Sequence, residues 1–282
     1  MKNDGPAPLP RRPAPWQLAL ALALVYIAWG TTYLAIREGV RTLPPGLFAG
    51  TRVALAGLTL LAFLGVAGGT VRLSGRDAVL SWLSGAAMFV GGNGLLTFAE
   101  KTVPSGLAAV LAATIPLWMA LLEMLLPHGE RLTLRGWLGL LIGFGGVVLL
   151  GAGALGGRSG MSFLDVGPFL VLGSAAAWSV GSFLYRHSRS RAPHLTAAAY
   201  QMAFGGGAMI VVGLAMGEGG RLTADCLTWQ AIGAFFYLLV VGSLVGFIAY
   251  NWLLGHASAA LAGTYAYVNP VVALLVGWLL AG

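Results

Sequence analysis

The sequence predicts an all-α integral membrane protein made of two inverted five-helix repeats. Of the 282 residues, 58% are hydrophobic and only 9% are charged, and the mean hydropathy is +0.84. Such a chain has lipid as its solvent. Residues 28–37 also resemble residues 177–186, at a spacing of 149 residues. Two copies that each hold an odd number of spans must be inverted relative to one another, and this arrangement is typical of transporters.

Nine apolar runs are predicted to form membrane helices. Each run is long enough to cross a bilayer and is bounded by glycine, proline or charge, with ends uncertain by about 2–4 residues. The first run follows Arg11 and Arg12 as a signal peptide would, but its length and the helices after it favour a span. The runs cover residues 16–36, 45–66, 78–99, 105–126, 133–153, 166–186, 194–215, 229–254 and 258–281.

The internal repeat divides the chain into a tail and two halves. We expect a disordered tail at residues 1–15, a first repeat at 16–153, a linker at 154–165 and a second repeat at 166–282. The helix at 133–153 has no counterpart in the second half, so repeat symmetry predicts a tenth helix after Gly282. The same spacing aligns Pro44 with Pro193, Arg52 with Gln201 and Gly57 with Gly206.

Lysine and arginine in the loops predict the orientation. The amino-terminal tail and the loops after helices 2, 4, 6 and 8 carry 10 of them, whereas the opposite loops carry 5. Cytoplasmic loops are enriched in these residues, so the amino terminus is expected in the cytoplasm. Short loops favour a multi-pass protein of a bacterial inner membrane.

Several function classes are excluded by composition and motif. The basic residues lie singly or in pairs between apolar runs, so no nucleic-acid partner is expected. Cys226 is the single cysteine and can form neither an intrachain disulfide nor a thiolate metal site. No metalloprotease, nucleotide-binding or serine-hydrolase motif occurs, so we expect no metal, no cofactor, no enzymatic activity and no built-in ATP-driven pump. A channel would need a continuous polar stripe, which the apolar runs do not provide.

Short motifs connect the chain to a known family. They are Ala28-Trp-Gly-Thr-Thr-Tyr33 in helix 1, its echo Ala177-Trp-Ser-Val-Gly181 in helix 6, the short link before Gly106-Leu-Ala-Ala-Val-Leu111, and the paired prolines Pro116 and Pro270. Together they resemble the drug/metabolite transporter superfamily and its ten-helix EamA-type exporters. The chain departs from many members at Ile115 and Asn269, where they place an acidic residue before the proline. The resemblance implies a small-molecule exporter, most similar to exporters of aromatic and other neutral amino acids.

The two prolines point to a central site. Pro116 and Pro270 lie inside apolar helices and cannot donate to the carbonyls of Ala112 and Ala266, so each is expected to bend and break its helix. A kink that serves only packing is the alternative interpretation. Their matching positions in the two repeats favour a substrate site between helices 3, 4, 8 and 9.

Uncharged polar and aromatic residues cluster at the same expected depth. Amide, hydroxyl and indole groups in an apolar pocket would suit an amino acid with an apolar or aromatic side chain. Asn93 is the strongest candidate because a lone amide among glycines in lipid needs a partner; helix packing is its alternative role. The substrate-binding candidates are Asn93, Thr97, Trp118, Trp178, Tyr250, Asn251, Tyr265 and Tyr267, and Asn269 belongs to the same group.

Two charged residues within spans need an explanation. Arg52 could attract a substrate carboxylate, extend outwards to solvent, or pair with Glu100 at the outer end of helix 3. Glu123, about one turn from the inner end of helix 4, is expected to pair locally and is the first candidate if a proton is carried. No Asp, Glu or His is expected near the midplane, which favours facilitated efflux over a carboxylate-based antiporter.

The sequence therefore predicts a monomeric transporter in the lipid bilayer that exports small metabolites, foremost aromatic and other neutral amino acids. Alternating access would proceed by rocking of one repeat against the other around a central cavity. Proton-coupled efflux of cationic drugs or nucleotide-linked metabolites is the alternative, since aromatic side chains can bind a cation.

Overall fold

A computed structural model describes residues 13–127, 129, 131–155, 165–188 and 190–281. Most of the expected tail and of the expected linker lies outside these ranges. Within them the chain forms nine long helices, α1 to α9, and no strand. The helices cover Pro15–Val40, Pro45–Val66, Gly75–Ala99, Ser105–Met124, Leu134–Leu155, Val166–His187, His194–Ala215, Trp229–His256 and residues 259–281.

The predicted spans agree with these helices to within a few residues. Eight of the helices are long and apolar enough to cross a membrane, and α5 adds a shorter apolar stretch at Leu134–Leu149. Large apolar side chains such as Ile27, Phe63 and Ile142 are exposed on the outside of the bundle. Water does not tolerate so much apolar surface on a soluble protein, so this surface faces lipid. The predicted fold class is confirmed.

The side of the bundle on which α1 begins is called here the N-terminal face, and the other side the opposite face. Successive helices cross in alternating directions, so α1 and α6 run antiparallel to each other. The loop between α7 and α8, on the opposite face, contains two short 3-10 turns at Glu218–Arg221 and Ala224–Cys226. Glu218 is buried and accepts hydrogen bonds from the backbone N–H groups of Gly46 (3.1 Å) and Leu47 (2.8 Å). Its carboxylate therefore caps the start of α2.

We expect Glu218→Ala to lower the stability of the protein by about 1–3 kcal/mol, because two buried N–H groups lose their acceptor. The measurement is the thermal unfolding midpoint in detergent. Glu38→Ala is the matched control: Glu38 pairs with Arg41 at 2.9 Å on the same face, but that pair is exposed and contributes little. Equal midpoints for the two variants would contradict the capping role of Glu218.

Helices α2 and α7 pack closely through small residues. A side-chain carbon added at Gly206 would lie 2.8 Å from the Cα of Ala54 and 2.8 Å from the carbonyl oxygen of Gly50. A carbon added at Gly57 would lie 2.6 Å from the carbonyl oxygen of Ala199. Gly57 and Gly206 are repeat partners, so each repeat contributes one half of the same close contact. Such approaches are the usual way in which membrane helices associate.

Two stretches of π-helix occur at corresponding places in the two halves. Ala86–Gly94 widens the middle of α3, and Leu238–Phe247 widens the middle of α8. Each is a departure from α-helical hydrogen bonding that repeats in the second half, and π segments are frequent at functional sites. They place Asn93 and Ser243 in the centre of the bundle.

The proline-associated breaks are only partly as predicted. Helix α4 is interrupted at residues 113–114, between Ala112 and Ile115, directly before Pro116. Helix α9 is instead interrupted at Thr264, and the segment Tyr265–Ala281 continues through Pro270. The Thr264 hydroxyl donates to the carbonyl oxygen of Leu261 at 2.7 Å, a local bond that competes with the helical ladder. The expected break at Pro270 is therefore wrong in position.

Candidate functional site

A cavity lies where the two halves of the bundle meet, and it is the candidate functional site. It offers about 80 Å³ to the centres of water-sized molecules. A single water needs about 10–15 Å³ by that measure, so several waters or a small solute can enter. The walls come from α1, α2, α3, α4, α6, α8 and α9. The lining residues are Trp29, Thr32, Tyr33, Ile36, Arg52, Phe89, Gly92, Asn93, Leu96, Ala112, Ile115, Ser174, Trp178, Gly242, Ser243, Phe247, Tyr265 and Asn269.

Aromatic rings form one side of the cavity. Trp29 meets Trp178 edge to face at 5.2 Å between ring centroids, and it meets Tyr265 at 4.7 Å. Phe89 and Phe247, from the two π segments, approach to 4.8 Å. These distances are typical of stabilising aromatic pairs. The wall therefore joins residues of both repeats in one contact network.

Backbone features fix the two tryptophans. The indole N–H of Trp29 donates to the carbonyl oxygen of Gly242 at 2.9 Å, within the π segment of α8. Gly92 lies so near Trp178 that an added side-chain carbon would be 2.8 Å from the ring. The glycines around Asn93 thus allow the close approach that the sequence suggested. The tryptophan positions are set by both halves together.

Arg52 lies on the cavity wall, and its hydrogen-bond acceptors there are uncharged side chains. Its guanidinium donates to the Asn93 side-chain oxygen at 2.9 Å and to the Ser243 hydroxyl oxygen at 3.2 Å. The residue is 3% exposed, so the expected extension to solvent does not occur. Glu100 lies near Arg52 but forms no ion pair with it. A cation buried without a contacting anion is costly, and that cost favours binding of an anionic group.

The cavity brings together fewer than half of the predicted site residues. Asn93, Trp178, Tyr265 and Arg52 line it, as does Asn269. Thr97 lies one turn beyond Asn93 and donates to its carbonyl oxygen at 2.7 Å, so it supports that residue without lining the cavity.

The other aromatic candidates lie outside the cavity walls. Trp118 is 38% exposed on the outer surface of α4, where the bundle faces lipid. Tyr267 donates to the carbonyl oxygen of Leu140 at 3.0 Å and so joins α9 to α5. Tyr250 packs beneath Trp29 at 4.9 Å and bonds to Ser182 at 2.8 Å.

Asn251 belongs to a separate buried chain of polar groups. Its amide nitrogen donates to Gln201 at 2.6 Å, and the amide nitrogen of Gln201 donates to the Ser84 hydroxyl at 2.9 Å. Gln201 is the repeat partner of Arg52, yet it faces this network and not the cavity. The network lies towards the N-terminal face and holds α3, α7 and α8 together.

Glu123 lies in an ion cluster near the N-terminal face. Its carboxylate is 3.4 Å from Arg186 Nε and 3.4 Å from His187 Nε2. Arg186 also donates to the carbonyl oxygens of Leu254 (3.0 Å) and Ala257 (2.6 Å). The cluster, called here the Glu123 latch, joins α4 and α6 to the turn between α8 and α9. The expected local pairing of Glu123 is present.

Several lining residues were not predicted as site residues from the sequence. They are Trp29, Thr32, Tyr33, Phe89, Ser174, Ser243 and Phe247. For Trp29 a signal existed, because the repeat spacing aligns it with Trp178. Ser243 and Phe247 are ordinary residues of an apolar run, and only the π segment directs them to the cavity.

Comparison with known proteins identifies the protein family to which the chain belongs. The model of the EamA-like transporter family matches residues 16–152 and again residues 165–282. A protein of Escherichia coli (strain K12) described as "Uncharacterized inner membrane transporter YedA" is 37% identical over 265 residues, or 93% of this chain and 82% of that protein. The "Probable terminal-alkyne amino-acid exporter" of Streptantibioticus cattleyicolor is 27% identical over 262 residues, covering 93% of this chain and 84% of that one.

A solved crystal structure has the same fold. It superimposes with a TM-score of 0.71 at 22% sequence identity, over 94% of this chain and 88% of the other. The two family matches together span both halves of the bundle, and the cavity lies between them. The chain is a multi-pass membrane transporter of small molecules, and it belongs to the EamA-like transporter family.

Proposed function

We propose that this protein exports aromatic and other neutral amino acids across a bacterial inner membrane. The observation that carries the proposal is the cavity itself, which combines an aromatic wall with one buried guanidinium on neutral partners. Aromatic rings accept an apolar or aromatic side chain, and the guanidinium accepts a carboxylate. The similarity to the "Probable terminal-alkyne amino-acid exporter" of Streptantibioticus cattleyicolor, at 27% identity, supports amino acids as the broader class of substrate.

The transport cycle is alternating access by a monomer whose amino terminus is cytoplasmic. Residues of both repeats form the cavity, so a movement of one repeat against the other would expose it first to one face and then to the other. A substrate shifts the populations of these states only by binding them unequally. Efflux of cationic drugs is disfavoured, because a cation in the cavity would meet the positive charge of Arg52.

Counterflow in liposomes tests the substrate class. We expect saturable uptake of radiolabelled phenylalanine and tryptophan by wild-type protein, reduced at least about tenfold in Trp178→Ala because the aromatic wall is lost. Trp118→Ala is the matched control, since it removes a tryptophan that faces lipid. Its counterflow should match that of the wild type.

The same assay with a quaternary ammonium dye, with and without a pH gradient, tests the competing class. Dye uptake driven by the gradient, together with no counterflow of any neutral amino acid, would overturn the proposed function. Unchanged tryptophan counterflow in Trp178→Ala would instead remove the cavity from the transport path.

A further inference from the structure

Three residues of the cavity wall, Arg52, Trp178 and Asn269, carry a buried polar atom without a hydrogen-bond partner. The atoms of Arg52 and Asn269 are the two that suit charged groups of a ligand. Among the described residues, Arg52 Nε and Asn269 Oδ1 are buried and have no hydrogen-bond partner. Arg52 is 3% exposed and Asn269 is 1% exposed, and both residues line the cavity. A buried polar atom left without a partner costs about 1–3 kcal/mol, so a bound molecule that supplies the missing partners is stabilised. One atom is a donor on a cation and the other is an acceptor.

The Arg52 side is suited to a carboxylate. The bonds to Asn93 and Ser243 use one nitrogen each at the end of the guanidinium, and the acceptors are neutral. The positive charge therefore has no contacting counter-charge, while Nε remains available. A carboxylate is the planar anion that matches a guanidinium edge with paired hydrogen bonds.

The Asn269 side is suited to an ammonium group. Its side-chain oxygen is an acceptor without a hydrogen-bond partner among the described residues, and the side chain of Tyr33 lies beside Asn269. The rings of Trp29 and Tyr265, 4.7 Å apart, also line this part of the cavity and can stabilise a cation.

We propose that the cavity recognises both charged ends of an α-amino acid zwitterion, with the carboxylate bound by Arg52 and the ammonium group by Asn269. The inference rests on the proposed function and specifies which substrate groups are required. Arg52 is in the first repeat and Asn269 in the second, so a bound zwitterion connects the two repeats. Such a contact is the kind that can bias their relative movement.

Glu100 lies near Arg52 but does not compete for the ligand. Its carboxyl is 2% exposed, has no hydrogen-bond partner among the described residues, and does not line the cavity. The charges of Arg37 and Arg52 act on it from α1 and α2. Because Glu100 does not line the cavity, the ammonium group of the ligand is bound by the neutral acceptor on Asn269.

A series of tryptophan derivatives tests the proposal on the wild-type protein. Tryptamine lacks the carboxylate, indole-3-propionate lacks the ammonium group, and tryptophanamide keeps only the ammonium group charged. Each should inhibit tryptophan counterflow with an apparent affinity lower by about tenfold to hundredfold, the usual effect of losing a hydrogen bond to a charged group. Inhibition by these three derivatives equal to that by unlabelled tryptophan would overturn the zwitterion site and leave amino-acid export standing.

Two variants assign the ends. Arg52→Gln should weaken tryptophan binding at least about tenfold while leaving tryptamine binding equal or stronger, and Asn269→Ala should weaken tryptophan but not indole-3-propionate. Binding is read as the ligand-dependent rise of the unfolding temperature, which also reports whether each variant is folded. Arg76→Gln and Tyr267→Phe are the controls, because Arg76 bonds to the Ser188 carbonyl and Tyr267 to the Leu140 carbonyl, both away from the cavity.

The possible failures are distinguishable. If both variants weaken all ligands alike, the residues are structural and the zwitterion site is wrong, while export of tryptophan remains supported. If tryptophan neither moves nor stabilises the wild-type protein, the proposed function fails and the zwitterion site fails with it. If a variant does not fold, the derivative series on the wild type still decides the matter.

Discussion

Gly206→Leu is expected to prevent accumulation of folded protein, whereas Gly207→Leu at the next position is expected to leave it nearly unchanged. A side chain at Gly206 would penetrate the backbone of α2, where Ala54 and Gly50 lie within 3 Å of its first carbon. Backbone cannot be displaced as the end of a flexible side chain can, so α2 and α7 would have to separate. A carbon added at Gly207 meets nothing within 4 Å.

Size-exclusion profiles and thermal unfolding in detergent measure this contrast. Overpacking costs about 1–3 kcal/mol in cores that can adjust, and more is expected here because the obstacle is main chain. The repeat partner gives an independent check, since Gly57→Leu would meet the backbone of Ala199 and Ala203 in the same way. A well-folded Gly206→Leu protein would mean that α2 and α7 are not packed as described.

The second large effect is expected from Glu123→Gln, which should open the N-terminal face. The Glu123 carboxylate is 2% exposed and is shared by Arg186 and His187, each at 3.4 Å. Removing the Glu123 charge leaves the partly exposed Arg186 without its contacting anion and costs about 1–3 kcal/mol. On the proposed alternating-access mechanism, that cost falls on the state in which the latch is closed.

Cysteine accessibility measures the shift. In a Cys226→Ser background, a cysteine introduced at Ala257, beside the latch, should react with a membrane-impermeant maleimide at least about tenfold faster when Glu123→Gln is present. Glu38→Gln is the control, because its exposed pair with Arg41 lies on the opposite face. An unchanged labelling rate would exclude the latch as a gate and leave it a purely structural contact.

Much of the fold could be predicted because it depends on local composition. The spans agree with the helices to within a few residues, and the repeat correctly paired Gly57 with Gly206. The break expected at Pro270 occurs instead at Thr264. The hydrogen bond from the Thr264 hydroxyl to the Leu261 carbonyl, together with the packing of α9, determines where the series of helical backbone hydrogen bonds is interrupted. The π segments could not be predicted, since the same residues can form α or π hydrogen bonds.

The sequence predicted only part of the candidate site. There is a physical reason why some predicted residues line the cavity and others do not. Asn93, Trp178, Tyr265 and Arg52 are on the cavity wall, whereas Trp118 faces lipid. In a soluble protein, an apolar stripe would show which side of a helix points inwards. Lipid is as apolar as the interior of this bundle, so the inward and outward sides of α4 carry similar residues and its rotation cannot be deduced.

The sequence by itself determined that the protein lies in a lipid bilayer, the number and approximate limits of the described helices, and the presence of two related halves. The free energies of transfer from water to lipid add along a run of residues, so these properties do not depend on contacts with other helices. Only the tertiary structure decided which side of each helix lines the cavity. It also decided that Arg52 forms hydrogen bonds with Asn93 and Ser243 and not an ion pair with Glu100, and that the ring of Trp29 packs against that of Trp178. Those choices depend on the rotation and close approach of helices far apart in the chain, where packing and not local preference sets the energy.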